Sequence, residues 1–434
     1  MTITENGNGN GNGSGPIVAK MHNDEAVEGQ ISDIRKVAAP LGLREYWYPA
    51  VQASKVKKSK PYALKMLGDE LVLFRDKNNE VAVLWNVCPH RGGSLAHGDC
   101  HFPGTVACPY HGWTFDGEGN VLAVLPEGPD SKIPGKVKAK KYPSVTLKGM
   151  VFIWMGNGEV APMEEDIPPE FFDNYTLILP SEEYWPVNWQ VALENGEDAH
   201  VPYVHANALR TLMFPMAQTG PMGGRNKIVN GRAVVPQRGY SGVNPNAAKQ
   251  FYFPGLGHWP KHTWRYKWAW MFAWARNRSM NAPDWDAPEE WRRGHHLPSM
   301  YRNDHKTDMY TRYAVPVTET LSRQVYFKSV RPKSGLGRLY ERIHFKLYGH
   351  WMQVSNFSAQ DAKALIPQRY DTPEYLSSTD SHQVVWRRLI LQARGMMKQE
   401  EAIAVPETEA ESFGFKRQEE AGKEPERFES LMSG

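Results

Sequence analysis

Two short runs of this chain combine residue types that bind soft or borderline metals. Cys88-Pro89-His90 and Cys108-Pro109-Tyr110-His111 form a C-x-H and a C-x₂-H unit with 17 residues between them. Two thiolates and two imidazoles can hold zinc, or a two-iron, two-sulfur cluster with the cysteines on one iron and the histidines on the other. The spacing favours the cluster, because the first ligand pair of a structural zinc site usually stands two to four residues apart. Gly92, Gly93 and Gly112 leave room for backbone amides to approach bridging sulfides. Neutral imidazoles in place of two thiolates raise the reduction potential above that of an all-cysteine cluster.

A second run, Glu194-Asn195-Gly196-Glu197-Asp198-Ala199-His200-Val201-Pro202-Tyr203-Val204-His205, is dense in metal-capable groups. A helix is expected over Trp189–His200. Two histidines five apart do not share one face of an unbroken helix, which five residues turn by about 500°. Pro202 would stop or kink the helix after His200 and let His205 swing back. Two histidines with one carboxylate and open positions make a non-heme iron oxygenase site. Taken alone, an H-x₄-H pair in a helix-to-loop turn is more often structural.

Cys88-Pro89-His90-Arg91-Gly92 and Cys108-Pro109-Tyr110-His111-Gly112-Trp113 resemble the loops of a Rieske domain. Tyr46-Trp47-Tyr48-Pro49, Lys148–Trp154, Pro168–Phe171 and Asn188-Trp189 ahead of the histidine pair resemble the Rieske-type non-heme iron, ring-hydroxylating oxygenases. The resemblance implies a [2Fe-2S] cluster on Cys88, His90, Cys108 and His111, and a mononuclear Fe(2+) on His200, His205 and a distant carboxylate. Ser358-Ala359-Gln360-Asp361-Ala362 is similar to the family's late carboxylate segment, which makes Asp361 the expected third ligand ahead of Asp371 and Asp380. The family's acid linking the two centres stands three residues before the first histidine. Glu197 has that spacing here, whereas alignment on Glu194-Asn195-Gly196 selects the adjacent Asp198; Glu197 is the expected bridge and Asp198 its alternative.

Neither loop carries the extra cysteine of respiratory Rieske proteins, and Cys100 lies outside both. Trp113 stands where the high-potential class has a hydroxyl donor, so a potential near the low end, roughly −150 mV, is expected. In the family the cluster of one subunit serves the iron of its neighbour, which implies a homotrimer and a path from His111 through the bridging acid to His200. The expected activity is that of a terminal oxygenase. It would use O2 and electrons from a ferredoxin or NAD(P)H-dependent reductase on a hydrophobic, aromatic or polycyclic substrate, by mono- or dioxygenation. The alternative is a Rieske-type electron carrier without oxygenase chemistry.

The elements that must position these groups fall into two expected domains. Residues 41–160 read as short strands, Leu71–Arg75 and Val81–Val87 flanking a hairpin loop at Asp76–Asn79, with Met150–Trp154 as a further strand. Residues 161–434 begin with a proline-rich linker, Ala161–Glu170, and show helical signals around Trp189–His200, Gly337–Asn356 and His382–Gln399. Tyr310–Val317 and Arg323–Val330 read as paired strands. The fold class is α+β: an all-β Rieske domain, then a mixed, helix-grip-like catalytic domain with an antiparallel sheet. Residues 1–40 are a disordered tail and lead-in, whose alternating Asn and Gly have no strand before them and no apolar helix after them, so they are not a phosphate loop. No dinucleotide-binding unit is visible, so electrons must come from another protein.

The 434 residues are 41% hydrophobic and 23% charged, an ordinary globular composition. A net charge of +3 argues against a nucleic-acid partner. No run approaches the roughly 18 to 20 apolar residues of a membrane span, and Met1–Pro16 lacks an apolar signal core. Three cysteines cannot build a disulfide framework, and the cytoplasm is the expected compartment. Phe214, Trp264, Trp268 and Phe272 are candidate walls of an apolar substrate pocket. The basic runs Lys55–Lys60 and Lys136–Lys141 are candidate docking points for an acidic electron donor.

Overall fold

The computed structural model describes residues 39–196, 200, 204–205, 227–229, 232–234, 288–304, 308–368, 375–376 and 380–396. Glu197, Asp198, Phe214, Trp264, Trp268, Phe272, Asp371, the Asn/Gly-rich opening and the last thirty or so residues lie outside them.

Ten strands build the first half: β1 (Trp47–Gln52), β2 (Tyr62–Met66), β3 (Asp69–Arg75), β4 (Val81–Trp85), β5 (Val106–Ala107), β6 (Trp113–Phe115), β7 (Val121–Val124), β8 (Lys141–Tyr142), β9 (Ser144–Leu147) and β10 (Met150–Trp154). They pair antiparallel in the orders β2-β3-β4-β8, β5-β6-β7 and β1-β10-β9. The expected hairpin between β3 and β4 forms because the Asp76 carboxylate accepts hydrogen bonds from the amides of Asn78 (2.9 Å) and Glu80 (2.8 Å). Successive residues of β3 and β4 point to opposite faces of a sheet, and here both faces are covered. Leu71, Leu73, Val81 and Val83 enter the large core shared with the second half. Val72, Phe74, Ala82 and Leu84 enter a separate core with Cys88, Cys108, Trp113 and Phe115. The cluster loops therefore stand on a small packed unit of their own.

The second half carries a seven-stranded antiparallel sheet: β11 (Leu177–Trp185), β12 (Lys227–Val229), β13 (Arg232–Val234), β14 (Gly294–His296), β15 (Met300–Asp304), β16 (Asp308–Thr318) and β17 (Leu321–Val330), in the order β11-β17-β16-β15-β14-β13-β12. The expected β16–β17 pair is present and longer than its apolar core suggested. One face of this pair presents Met309, Tyr313, Val315, Val325 and Phe327 to the large core. The other face presents Tyr310, Arg312, Tyr326 and Lys328. The helices are α1 (Trp189–Glu194), α2 (Gly335–His344), α3 (Ala359–Leu365) and α4 (Ser381–Leu391).

The helix expected over His382–Gln399 is α4, which ends at Leu391, and two further helical expectations need correction. α1 ends at Glu194 rather than His200, because Gly196 N–H closes back on the Leu193 carbonyl at 2.9 Å and Asn195 caps the turn. Pro202 lies outside the described residues. The helix expected over Gly337–Asn356 starts at Gly335 as α2 and passes into π-helical turns at Phe345–Gly349 and Trp351–Ser358 before α3. The π-helix, with its i→i+5 bonding, is rare and concentrates at functional sites.

The halves are joined by specific contacts as well as by the shared core. Leu67 N–H donates to the Pro316 carbonyl at 2.9 Å, and Arg323 donates to the Pro49 carbonyl at 2.9 Å. The expected linker is ordered: within it, Glu170 forms a buried two-bond ion pair with Arg302 of β15, at 3.0 and 3.1 Å.

Candidate functional site

The two cysteine–histidine loops have the same backbone wiring. Cys88 N–H donates to the Gly93 carbonyl (2.8 Å) and Gly92 N–H returns to the Cys88 carbonyl (2.9 Å). Cys108 N–H donates to the Trp113 carbonyl (2.8 Å) and Gly112 N–H returns to the Cys108 carbonyl (3.0 Å). Gly92 (φ +74°) and Gly112 (φ +65°) occupy the left-handed conformation that each knuckle requires. A Cβ on Gly93 would lie 3.0 Å from Cys108 Sγ, so its lack of a side chain keeps the sulfur accessible.

The thiols are buried and the imidazoles lie outward. Cys88 and Cys108 are 2% and 4% exposed, whereas His90 is exposed and His111 partly so. The two imidazoles meet edge to face at 4.7 Å, and Trp113 stacks flat on His90 at 4.7 Å. Burial pushes the Cys88 thiol up to about 11, with the Cys108 sulfur adding to the rise. Buried thiols become thiolates when a cation binds them, so this donor set fits a cluster. Cys100 is half-buried and takes no part.

The second expected set converges from three places. His200 and His205 follow α1, and Asp361 sits in the first turn of α3. Asp361 Oδ1 lies 2.8 Å from His205 Nε2 and 3.1 Å from His200 Nε2, and the two imidazole nitrogens are 3.2 Å apart. Asp361 Oδ1 is buried without accepting a well-directed hydrogen bond, as happens when three donors are aimed at one point. Three cis positions around an octahedral ion with bonds of about 2.1 Å are separated by about 3 Å, so the set fits a divalent first-row metal. Asp380, at the start of α4, is not part of the group; among the described residues only His200, His205 and Asp361 form such a cluster.

The electrostatics favour ligation. Burial lowers the His200 imidazole against the pull of Asp361, with His205 and Arg312 pushing the same way as burial. Burial alone would raise the Asp361 carboxyl, but the imidazoles of His205 and His200 outweigh it and hold it well below the usual carboxylate range.

The surroundings include residues whose role the sequence did not reveal. His205 Nδ1 lies 2.9 Å from Gln360 Oε1; the carbonyl accepts, so Nδ1 carries the proton and Nε2 is left with a lone pair that a metal could take. Phe357 stacks on the same imidazole at 3.6 Å. The π-to-α junction thus delivers a carboxylate, a hydrogen-bond acceptor and a stacking ring to one spot. Glu194, which the metal-rich run offered as a donor, is taken up by Arg387 instead. Nearby, Tyr326 donates to Glu183 at 2.6 Å; burial raises the Glu183 carboxyl.

Comparison with known proteins agrees with this arrangement. Residues 46–143 match the family described as the Rieske [2Fe-2S] domain, and residues 154–249 match the homotrimeric ring hydroxylases. Over these stretches the chain reads as a Rieske domain followed by a ring-hydroxylase domain, families that carry a [2Fe-2S] cluster and a mononuclear iron. Among curated proteins it is 36% identical to the terminal oxygenase component of carbazole 1,9a-dioxygenase from Metapseudomonas resinovorans, over 40% of this chain and 45% of that protein. It is 31% identical to the oxygenase subunit of phthalate 4,5-dioxygenase from Pseudomonas putida, over 42% and 41%. The matches thus span less than half the length of these relatives. The fold is similar: the oxygenase in its reduced complex with ferredoxin, from carbazole 1,9a-dioxygenase, superposes with a TM-score of 0.63 at 22% identity, covering 92% of this chain and 99% of that one. The terminal oxygenase from Novosphingobium sp. KA1 gives 0.64, also at 22% identity, covering 86% and 99%.

Proposed function

We propose that this chain is the terminal oxygenase of a Rieske-type system, using O2 and externally supplied electrons to hydroxylate a hydrophobic, aromatic or polycyclic substrate. The observation that carries the reading is the convergence of His200, His205 and Asp361 in a chain that also bears the two cysteine–histidine loops. A pure electron carrier has no use for that second donor set.

In this reading Cys88, His90, Cys108 and His111 hold the cluster, and His200, His205 and Asp361 hold the mononuclear iron, with Glu197 or Asp198 linking the centres. When bound, the mononuclear iron supplies the position at which O2 is reduced with electrons drawn from the cluster. The protein's own work is positioning. Buried Cys88 and Cys108 face inward while His90 and His111 face out, so the imidazole edge is where electrons leave toward a neighbouring subunit of a homotrimer. Gln360 and Phe357 fix the ring of His205, and burial of Asp361 and His205 restricts water at the site.

A ferredoxin is the electron donor we favour, since oxygenase–ferredoxin complexes share this fold. Lys57, Lys58, Lys60, Lys136 and Lys138 are exposed and suit an acidic donor surface, whereas Lys55 and Lys141 are paired with Glu182 and Glu118. No helix among the described residues is long and apolar enough to cross a membrane, and the three cysteines form no disulfide, which suits a cytoplasmic location. The test is reconstitution with a generic ferredoxin and reductase under ¹⁸O2 and a panel of aromatic and alicyclic compounds. Label in a product supports the oxygenase; cluster turnover without O2 consumption across the panel supports the carrier.

A further inference from the structure

We infer that Arg387 of α4 is a positioning residue for the mononuclear site, bracing the base of the segment that carries His200. This rests on the reading of His200, His205 and Asp361 as ligands. Arg387 donates from Nε to Glu194 Oε1 and from Nη2 to Glu194 Oε2, both at 2.8 Å, and Gln190 Nε2 adds a bond to Oε1 at 2.9 Å. Glu194 is the last residue of α1, six positions before His200. The same helix end is held from two more sides. Arg312 of β16 donates to the Ala192 carbonyl at 2.8 Å, and His295 of β14 donates to the Leu193 carbonyl at 3.0 Å. His295 in turn stacks on Trp386, the neighbour of Arg387, at 5.2 Å. Gly196 admits no side chain, because a Cβ would meet the Tyr301 ring at 2.9 Å.

A buried ion pair is a poor source of net stability, since desolvation of both charges offsets their attraction. Its value here is directional. A bidentate guanidinium–carboxylate pair fixes both distance and orientation, at the point where the chain leaves α1 for the first metal ligand. Seven residues on, Arg394 engages Asp166 and Glu165 and lies 4.1 Å from the Tyr46 ring. α4 and the turn after it therefore hold the base of the ligand segment at one end and, at the other, the Ala161–Glu170 segment together with Tyr46 of the Rieske half.

The test is Co(II) titration of cluster-loaded protein from which the mononuclear metal has been removed by chelation, read by the cobalt visible spectrum, alongside cluster EPR and thermal melting. The double variant Glu194→Gln/Arg387→Met removes both charges without stranding either, so it folds. It should bind Co(II) about 10- to 100-fold more weakly, the range for groups supporting metal ligands, with unchanged cluster EPR and little change in melting temperature. Arg387→Lys, which cannot bridge both oxygens, should fall between it and the wild type, and Arg394→Ala should bind Co(II) as the wild type does. Wild-type Co(II) affinity in the double variant, or equal weakening in Arg394→Ala, overturns the brace. Wild-type protein that binds no Co(II) would instead remove the ligand reading beneath it.

Discussion

Gln360 makes the clearest residue-scale prediction. Its carbonyl fixes which nitrogen of His205 carries the proton, and with it the lone pair offered to the metal. Gln360→Leu should weaken Co(II) or Fe(II) binding by about 10- to 100-fold, whereas Gln360→Glu, which keeps an acceptor, should retain most of the affinity. Equal affinities in isothermal titration of wild type and the Leu variant would show that the bond is incidental. The cluster residues were legible because the loops are local: type, spacing and glycine punctuation sit within six residues each. His200 and His205 were singled out through the family resemblance, since their spacing alone favours a structural role, and Asp361 through the likeness of its Gln-Asp segment to that family's. Gln360 and Phe357 were not legible as supports of His205, because the contact spans 155 positions for Gln360 and exists only after α3 docks. The pairing of Glu194 with Arg387 was hidden for the same reason, since the two lie 193 positions apart.

At the scale of elements, strands were read better than helices. β16 and β17 carry apolar and aromatic residues on both sides of a tight turn, so their pairing is local information. α1 was read too long because the local stop signal Asn195-Gly196, whose N–H closes on the Leu193 carbonyl three residues back, was passed over; only the crowding of Gly196 by Tyr301 is tertiary. The π-helical turns at Phe345–Gly349 and Trp351–Ser358 were read as ordinary helix, since a 3.6-residue period is the only helical pattern a sequence scan tests. The segment Ala161–Glu170 was read as a linker, yet its last residue is locked into β15 through Arg302. Glu170→Ala should strand the buried Arg302 guanidinium and cost about 3–5 kcal/mol in urea denaturation. A loss below about 1 kcal/mol would mean that the arginine finds another partner or water.

For the whole molecule, the joint between the Rieske half and the catalytic half holds a titratable group. Burial raises the Asp166 carboxyl to about 6, with Arg394 pulling the other way. Asp166 also accepts the Trp47 amide at 3.0 Å. The folded state therefore favours the protonated acid more than the unfolded chain does. That contribution is full below the ordinary carboxylate value and is lost as pH rises through about 6. The stability of wild type relative to Asp166→Asn should fall by on the order of 3 kcal/mol between pH 4 and pH 7. A pH-independent difference would show that Arg394 keeps the acid ionised throughout.

The account as a whole requires two separate metal centres in one polypeptide, and iron counting with Mössbauer spectroscopy addresses that most directly. Iron-replete wild type should hold about three irons per chain, a cluster pair plus one high-spin ferrous ion. Asp361→Ala should hold about two, with the cluster spectrum intact. Wild type with about two irons, all in the cluster, or an Asp361→Ala variant that keeps its third, would contradict the account.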